Sequence, residues 1–133
     1  NKLSRQSYES LCLALPELIH KLNSMKEIKA FIKPNRVEKV VEALQKAGHE
    51  SVTLSKGEGT GAYKRKDAFP SMDFHFTDSP VVKLELVCQC EESSNVVQLI
   101  CSNAQTPERG DGIIYVTDIQ KAFRIKTCEP FEK

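Results

Sequence analysis

Twice along this chain an alternating apolar run is followed by a helical stripe and then by a second extended run, and this repeat constrains the fold more than any other feature. Lys26 to Lys33 places Ile28, Ala30 and Ile32 on one side of an extended segment, and Pro34 stops the ladder by removing a donor. Asn35 is suited to cap a helix, Glu38 to complete a capping box, and Val37, Val40, Val41 and Leu44 form one apolar stripe. Gly48 is placed to end that helix, and Val52 to Ser55 reads as a short second strand. The pattern returns as a strand from Val81 to Cys90. A helix from Asn95 to Ala104 follows, carrying Val96, Val97, Ile100, Cys101 and Ala104, and then a last core strand from Ile113 to Val116. Ser93 or Ser94 would cap the second helix, and Ile119 to Ile125 reads as a helical turn before a terminal extended piece. Two such halves predict an α+β fold of the ferredoxin-like split β-α-β kind (βαββαβ), an antiparallel sheet with two helices on one face.

With 133 residues, 40% of them hydrophobic and 28% charged, the chain suits one folded domain. A domain this small buries only about two-thirds of its unfolded surface, so association is a natural source of further burial. Lysine and arginine number 19 against 18 acidic residues. No overall field therefore draws the chain to nucleic acid or an anionic membrane, and any anion site must be local. The early apolar run Leu11–Leu15 is cut by Pro16 and Glu17, far short of the ~20 residues of a membrane span, and no signal-peptide pattern follows it. Five cysteines, odd in number and without a C-x-x-C pair, point to a reducing compartment, so a cytoplasmic location is expected. Cys88 and Cys90, two apart in a strand, can either hold a soft metal or pack in the core. Core packing is preferred because Val82, Leu84 and Leu86 continue the same face.

Residues 1–24 lie outside the repeat as an N-terminal extension ahead of a compact domain at 25–133. Their best pattern is an amphipathic helix from Ser7 to Leu22 with Leu11, Leu15, Leu18 and Leu22 on one side, bent at Pro16. They read either as an added segment before a native start at Met25 or as a real docking helix.

Residues 57–80 carry no convincing strand or helix, and loops beyond about 12–15 residues in compact domains are usually functional or disordered. Gly57, Gly59 and Gly61 are followed by the basic trio Lys64, Arg65 and Lys66, then by Phe69, Met72, Phe74 and Phe76 among Asp67, Asp73 and Asp78. A loop that keeps large apolar side chains reads as one that orders against a partner or ligand; the alternative is a hairpin extension of the sheet. The glycines can bring backbone N–H groups to phosphates, but Gly57-Glu58-Gly59 is neither a dinucleotide fingerprint nor a P-loop. A second cluster, Thr106-Pro107-Glu108-Arg109-Gly110-Asp111-Gly112, precedes the last strand and also fits an ordinary Asp-Gly turn. Arg124 and Lys126 fall on one side of an extended segment, which suits phosphate contacts or a solvated charged edge. His20, His49 and His75 sit in unrelated segments without metal-ligand spacing, and no nucleophile is paired with a base. No catalytic or metal-binding residue is expected, and the chain is not read as an enzyme.

Taken in order, these pieces resemble the PII signal-transduction family. Phe31-Ile32-Lys33-Pro34 is similar to the end of its opening strand, Gly57-Glu58-Gly59 to the start of its long T-loop, and Val82-Lys83-Leu84-Glu85-Leu86 to the strand that leaves the loop. Thr106 with Gly110-Asp111-Gly112, then Ile114-Tyr115-Val116 and Arg124-Ile125-Lys126-Thr127, resembles its B-loop and C-loop signature. The resemblance runs from Met25 to about Glu129. It implies a homotrimer with an adenine nucleotide as effector in each cleft between subunits, and no other cofactor. Thr53, Gly57 and Gly59 fall where the family contacts the nucleotide, with the B-loop residues Arg109, Gly110, Asp111 and Gly112 around the phosphates. Lys83, Arg124 and Lys126 would supply positive charge. The implied signal is a change of T-loop shape, with the T-loop at about 57–80, that alters docking on a membrane transporter or an enzyme.

Three departures from the family pattern shape the expectation. Gly61 stands where the 2-oxoglutarate sensors have a glutamine, Ile113 replaces the final basic residue of the B-loop, and the Tyr-Arg-Gly-x-Glu-Tyr core of the T-loop is absent. They imply a divergent member that favours ADP or AMP over ATP, of the kind linked to bicarbonate handling or metal efflux. The competing reading is a ferredoxin-like metal-binding or metal-tolerance module built on Cys88, Cys90 and the histidines.

Overall fold

Ile28, Ala30 and Ile32 project to the same side of β1 (Met25–Ile32) and are at most 2% exposed, as their alternation requires. The structure is a computed structural model and describes residues 24–60 and 79–131. The helix expected at Ser7–Leu22, the basic trio and the apolar residues from Phe69 to Phe76 lie outside the described residues.

After β1, Pro34–Arg36 forms a single 3-10 turn, and α1 (Val37–Lys46) follows with Val40 and Leu44 buried. Neither the turn nor α1 has a side-chain cap, so the expected capping box of Asn35 and Glu38 does not form. Pro34, with its φ already fixed, starts helical geometry directly after Lys33, which leaves Asn35 inside the turn rather than before it. Gly48 ends α1 as expected: its φ is +94° and its N–H donates to Gln45 O at 3.0 Å.

β2 (Thr53–Gly59) and β3 (Ser79–Gln89) pair antiparallel down to Gly59 opposite Ser79, so the ladder runs further into residues 57–80 than the sequence pattern predicts. Gly57 and Gly59 are strand residues there, opposite Val81 and Ser79. α2 (Cys90–Ala104) begins earlier than expected, because Glu92 Oε2 accepts the Gln89 N–H at 3.4 Å while the Ser93 hydroxyl bonds back to Cys90 O at 2.7 Å inside the helix. Val96, Ile100 and Ala104 form its buried stripe. β4 (Gly112–Ile119) is longer than the expected Ile113–Val116, because every residue of β1 offers it a partner, from Ile32 opposite Gly112 to Met25 opposite Ile119. No helical turn follows at Ile119–Ile125.

The four strands form one antiparallel sheet in the order β2-β3-β1-β4, with α1 and α2 packed against each other on one face. This is the ferredoxin-like arrangement. The core between helices and sheet holds Ile28, Ala30, Ile32, Val40, Leu44, Val82, Leu84, Leu86, Cys88, Val96, Ile100 and Ala104. Cys88 is fully buried among them, as the core reading of its alternation predicts. On the other face Phe31 meets Tyr115 edge to face, with centroids 6.0 Å apart, and Ile113 and Tyr115 stay about half exposed.

Candidate functional site

The chain closes a loop at one end of the sheet by joining residues from three elements. Thr106, just after α2, and Asp111, just before β4, form the loop's neck. The Thr106 N–H donates to Asp111 Oδ2 at 3.0 Å, and the Thr106 hydroxyl donates to Asp111 Oδ1. Lys33, at the end of β1, reaches this neck from outside: its Nζ donates to Thr106 Oγ1 at 2.9 Å and lies 3.2 Å from Asp111 Oδ1. The Lys33 side chain is only 4% exposed, so its ammonium is held by these partners rather than by water. Three residues on, Arg36 Nε donates to Asn103 O at 2.9 Å and braces the last turn of α2. Gly112 completes the closure with a φ of +111°, packed so near β1 that no side chain fits between it and Phe31.

Within the neck, Pro107–Arg109 forms a bend and Gly110 takes a φ of +83°. The Glu108 N–H donates to Thr106 Oγ1 at 3.3 Å, whereas the N–H groups of Arg109 and Gly110 have no hydrogen-bond partner among the described residues. Successive backbone N–H groups in a bend that includes a left-handed residue form an anion-binding concavity. Beside the loop, a cavity of about 380 Å³ opens between α2 and the start of β4, lined by Phe31, Ile32, Val97, Ile100, Cys101, Ala104, Gln105, Asp111, Gly112, Ile113 and Ile114. That size lies within the range of small-ligand sites, and its lining is mostly apolar. A loop of free amides next to an apolar recess suits a ligand with an anionic end and a flat or apolar end.

Burial pushes the Asp111 carboxyl up, but the Thr106 hydroxyl and amide and the Lys33 ammonium outweigh it, and the group sits below its ordinary value of 3.8. A depressed carboxyl contributes stability above its unfolded value and loses it as pH falls through the folded value. The loop is therefore expected to stay closed at neutral pH and to open only below about pH 3.8, read as faster amide exchange at residues 108–112. An Asp111→Asn variant, unable to titrate, should lack this acid step; a step that persisted would assign the opening to another group.

The residues singled out from the sequence fall in four places. Gly110, Asp111 and Gly112 are at the closed loop, with exposed Arg109 at its tip. Asp111 uses both carboxylate oxygens to shape the loop. Gly57 and Gly59 lie at the same end of the sheet but on β2, the opposite edge from β4. Three strand intervals, about 14 Å, separate the two edges. Lys83 and Thr53 sit further along the sheet, and Lys83 is paired with Glu85 at 3.0 Å.

Arg124 and Lys126 do not alternate along an extended segment as expected. The Arg124 N–H donates to Glu129 O, the Cys128 N–H to Arg124 O, and Phe123 bridges Pro130, so Ile125–Thr127 becomes a hairpin turn with Cys128 at φ 56°. The Arg124 guanidinium stacks on Phe131 at 4.6 Å. This hairpin follows the Ile119 end of β4, about 24 Å along the strand from Gly112 at 3.4 Å per residue. Lys33 and Arg36 were not among the expected site residues. Their signal is present but faint: two cations flank Pro34 at the end of a strand, where a solvated position is the ordinary reading.

Among the described residues no group of three or more His, Cys, Asp or Glu is arranged to hold a metal ion, and no helix is long and apolar enough to cross a membrane.

A family model described as Nitrogen regulatory protein P-II matches residues 25–129. The chain is 35% identical over 106 residues to the nitrogen regulatory protein P-II of Rhizobium meliloti (strain 1021), covering 79% of this chain and 95% of that protein. It is 34% identical over 110 residues to nitrogen regulatory protein P-II 2 of Methanothermobacter thermautotrophicus, covering 82% and 96%. A crystal structure of Arabidopsis thaliana PII bound to citrate superposes with a TM-score of 0.65 at 29% identity, covering 81% of this chain and 86% of that one.

Proposed function

Because this chain belongs to the P-II family of nitrogen regulatory proteins, we propose that it is a regulatory protein that binds an adenine nucleotide between subunits of a homotrimer. The observation that carries the reading is the loop Thr106–Gly112, with its free Arg109 and Gly110 amides beside an apolar cavity. Phosphates suit the amides and a base suits the cavity. The parts are divided in a way that favours an intersubunit site. Gly57 and Gly112 lie on opposite edge strands, and Arg124 and Lys126 follow the far end of β4. A neighbour packed edge to edge brings such pieces together, and the half-exposed Ile113 and Tyr115 give it apolar surface to cover.

ADP or AMP is favoured over ATP. Ile113 leaves the loop without the basic residue that would hold a third phosphate, and Arg109 is the nearest cation in sequence. The signal runs through the T-loop between β2 and β3: nucleotide binding shifts the population of its shapes, and one shape docks on a transporter or enzyme of bicarbonate or carbon handling.

Calorimetry with AMP, ADP and ATP on the full chain, with light scattering for its mass, tests the proposal. Arg124→Ala and Lys126→Ala are each expected to weaken nucleotide binding by about 1.5–3 kcal/mol, the worth of a charge-assisted phosphate contact. A monomeric mass at micromolar concentration, or full affinity in both variants, would place the site elsewhere.

A further inference from the structure

Lys33 is a buried cation that no ligand-facing role explains, because its ammonium points into the neck of the loop rather than out of it. It contacts both residues that close the neck, Thr106 at 2.9 Å and Asp111 at 3.2 Å. The neck also leans on β1 through Gly112 against Phe31, and on the following turn through Arg36 at Asn103 O. Of these three supports only Lys33 touches the Thr106–Asp111 closure itself. Without it, the Thr106 hydroxyl and Asp111 would still bond each other, but the carboxylate would lose its cationic partner among the described residues, and the neck the one of its three supports that touches the closure.

We infer that Lys33 is a positioning residue: from the end of β1 it fixes the Thr106–Asp111 neck, and so presets the bend that aims the Arg109 and Gly110 amides at an anion. This rests on the reading of the loop as the phosphate end of a nucleotide site. A preset loop binds tightly because its ordering is complete before the ligand arrives, whereas a loose one must be ordered on binding. Lys33 therefore acts on ligand affinity without touching ligand.

The test uses the full chain with AMP and ADP by calorimetry, and amide exchange of residues 108–111 in the ligand-free protein. Lys33→Met and Thr106→Val should each weaken nucleotide binding by about tenfold and speed loop exchange, while the exchange of core strand amides stays as in the parent. Thr106→Ser, which keeps the hydroxyl, should bind within about twofold of the parent. Should Lys33→Met fail to fold, Thr106→Val and Thr106→Ser decide the matter, since the methyl-for-hydroxyl change keeps side-chain shape. Parental affinity and parental loop exchange in Thr106→Val would overturn the inference. A parent chain that binds no adenine nucleotide would instead overturn the reading of the site. The exchange arm then decides the clasp alone: faster loop exchange in the variants upholds it, and unchanged exchange overturns it.

Discussion

Gly112→Ala is expected to lower the melting temperature by roughly 10 °C or more, taking ~3 kcal/mol as the least cost and about 3–5 °C per kcal/mol for a domain of this size. A Cβ at this position would lie 1.6 Å from the Phe31 carbonyl oxygen and 2.8 Å from its carbon, both backbone atoms that cannot swing aside as a side chain can. The φ of +111° adds a second cost, because an L side chain there is strained whatever the space. Relief requires the Ile32–Gly112 end of the β1–β4 ladder to part, and the loop neck is attached to that end. The variant should thus lose both stability and loop order. Melting must be compared at one protein concentration, since association shifts the apparent midpoint. A variant melting within about 2 °C of the parent would show that the strands separate freely here.

Leu84→Ala should cost about 2–5 kcal/mol, read as a shift of the urea midpoint at unchanged slope. Leu84 is fully buried on β3, opposite Ala30 on one side and Leu54 on the other, under the helices. Its neighbour Ala30 is too small to fill the space left behind. Leu54, on the edge strand and 45% exposed, is the matched control, and Leu54→Ala should cost less than about 1 kcal/mol. Equal losses from the two changes would mean that β2 is covered by another surface in solution.

β1, β3 and α1 were legible because their signal is carried by residues that end fully buried. Ile28, Ala30 and Ile32 alternate in the sequence as they do in the sheet, and Val40 and Leu44 fall one turn apart on α1. The start of α2 was not legible: its cap is a glutamine, and the serines that look like caps bond within the helix or stand on its exposed surface. At the site, the sequence marks the loop by its glycines and aspartate but hides what shapes it. Lys33 and Thr106 are 73 residues apart, and the β1–β4 pairing and the packing of α2 on β1 bring them together. Likewise Gly112 reads as half of a tight turn, while the demand for glycine comes from a carbonyl on another strand. Arg124 and Lys126 were misread as an extended pair because a hairpin closed by backbone bonds leaves no side-chain periodicity to detect.

The strand order carries a consequence for how the molecule comes into being. β1 and β2, the first two strands among the described residues, never touch in the finished sheet, because β3 lies between them and β4 pairs with β1 on its other side. In a nascent chain that has emerged only as far as β2, the described residues offer two strands and a helix but no strand pair to form. Its exposed edges must wait for β3, and the central strand is completed only when β4 follows from the C-terminal part of the chain. Assembly of the sheet thus starts late, with β3, and finishes with β4, and ribosome-bound chains halted before Gln89 should be the protease-sensitive, chaperone-dependent ones.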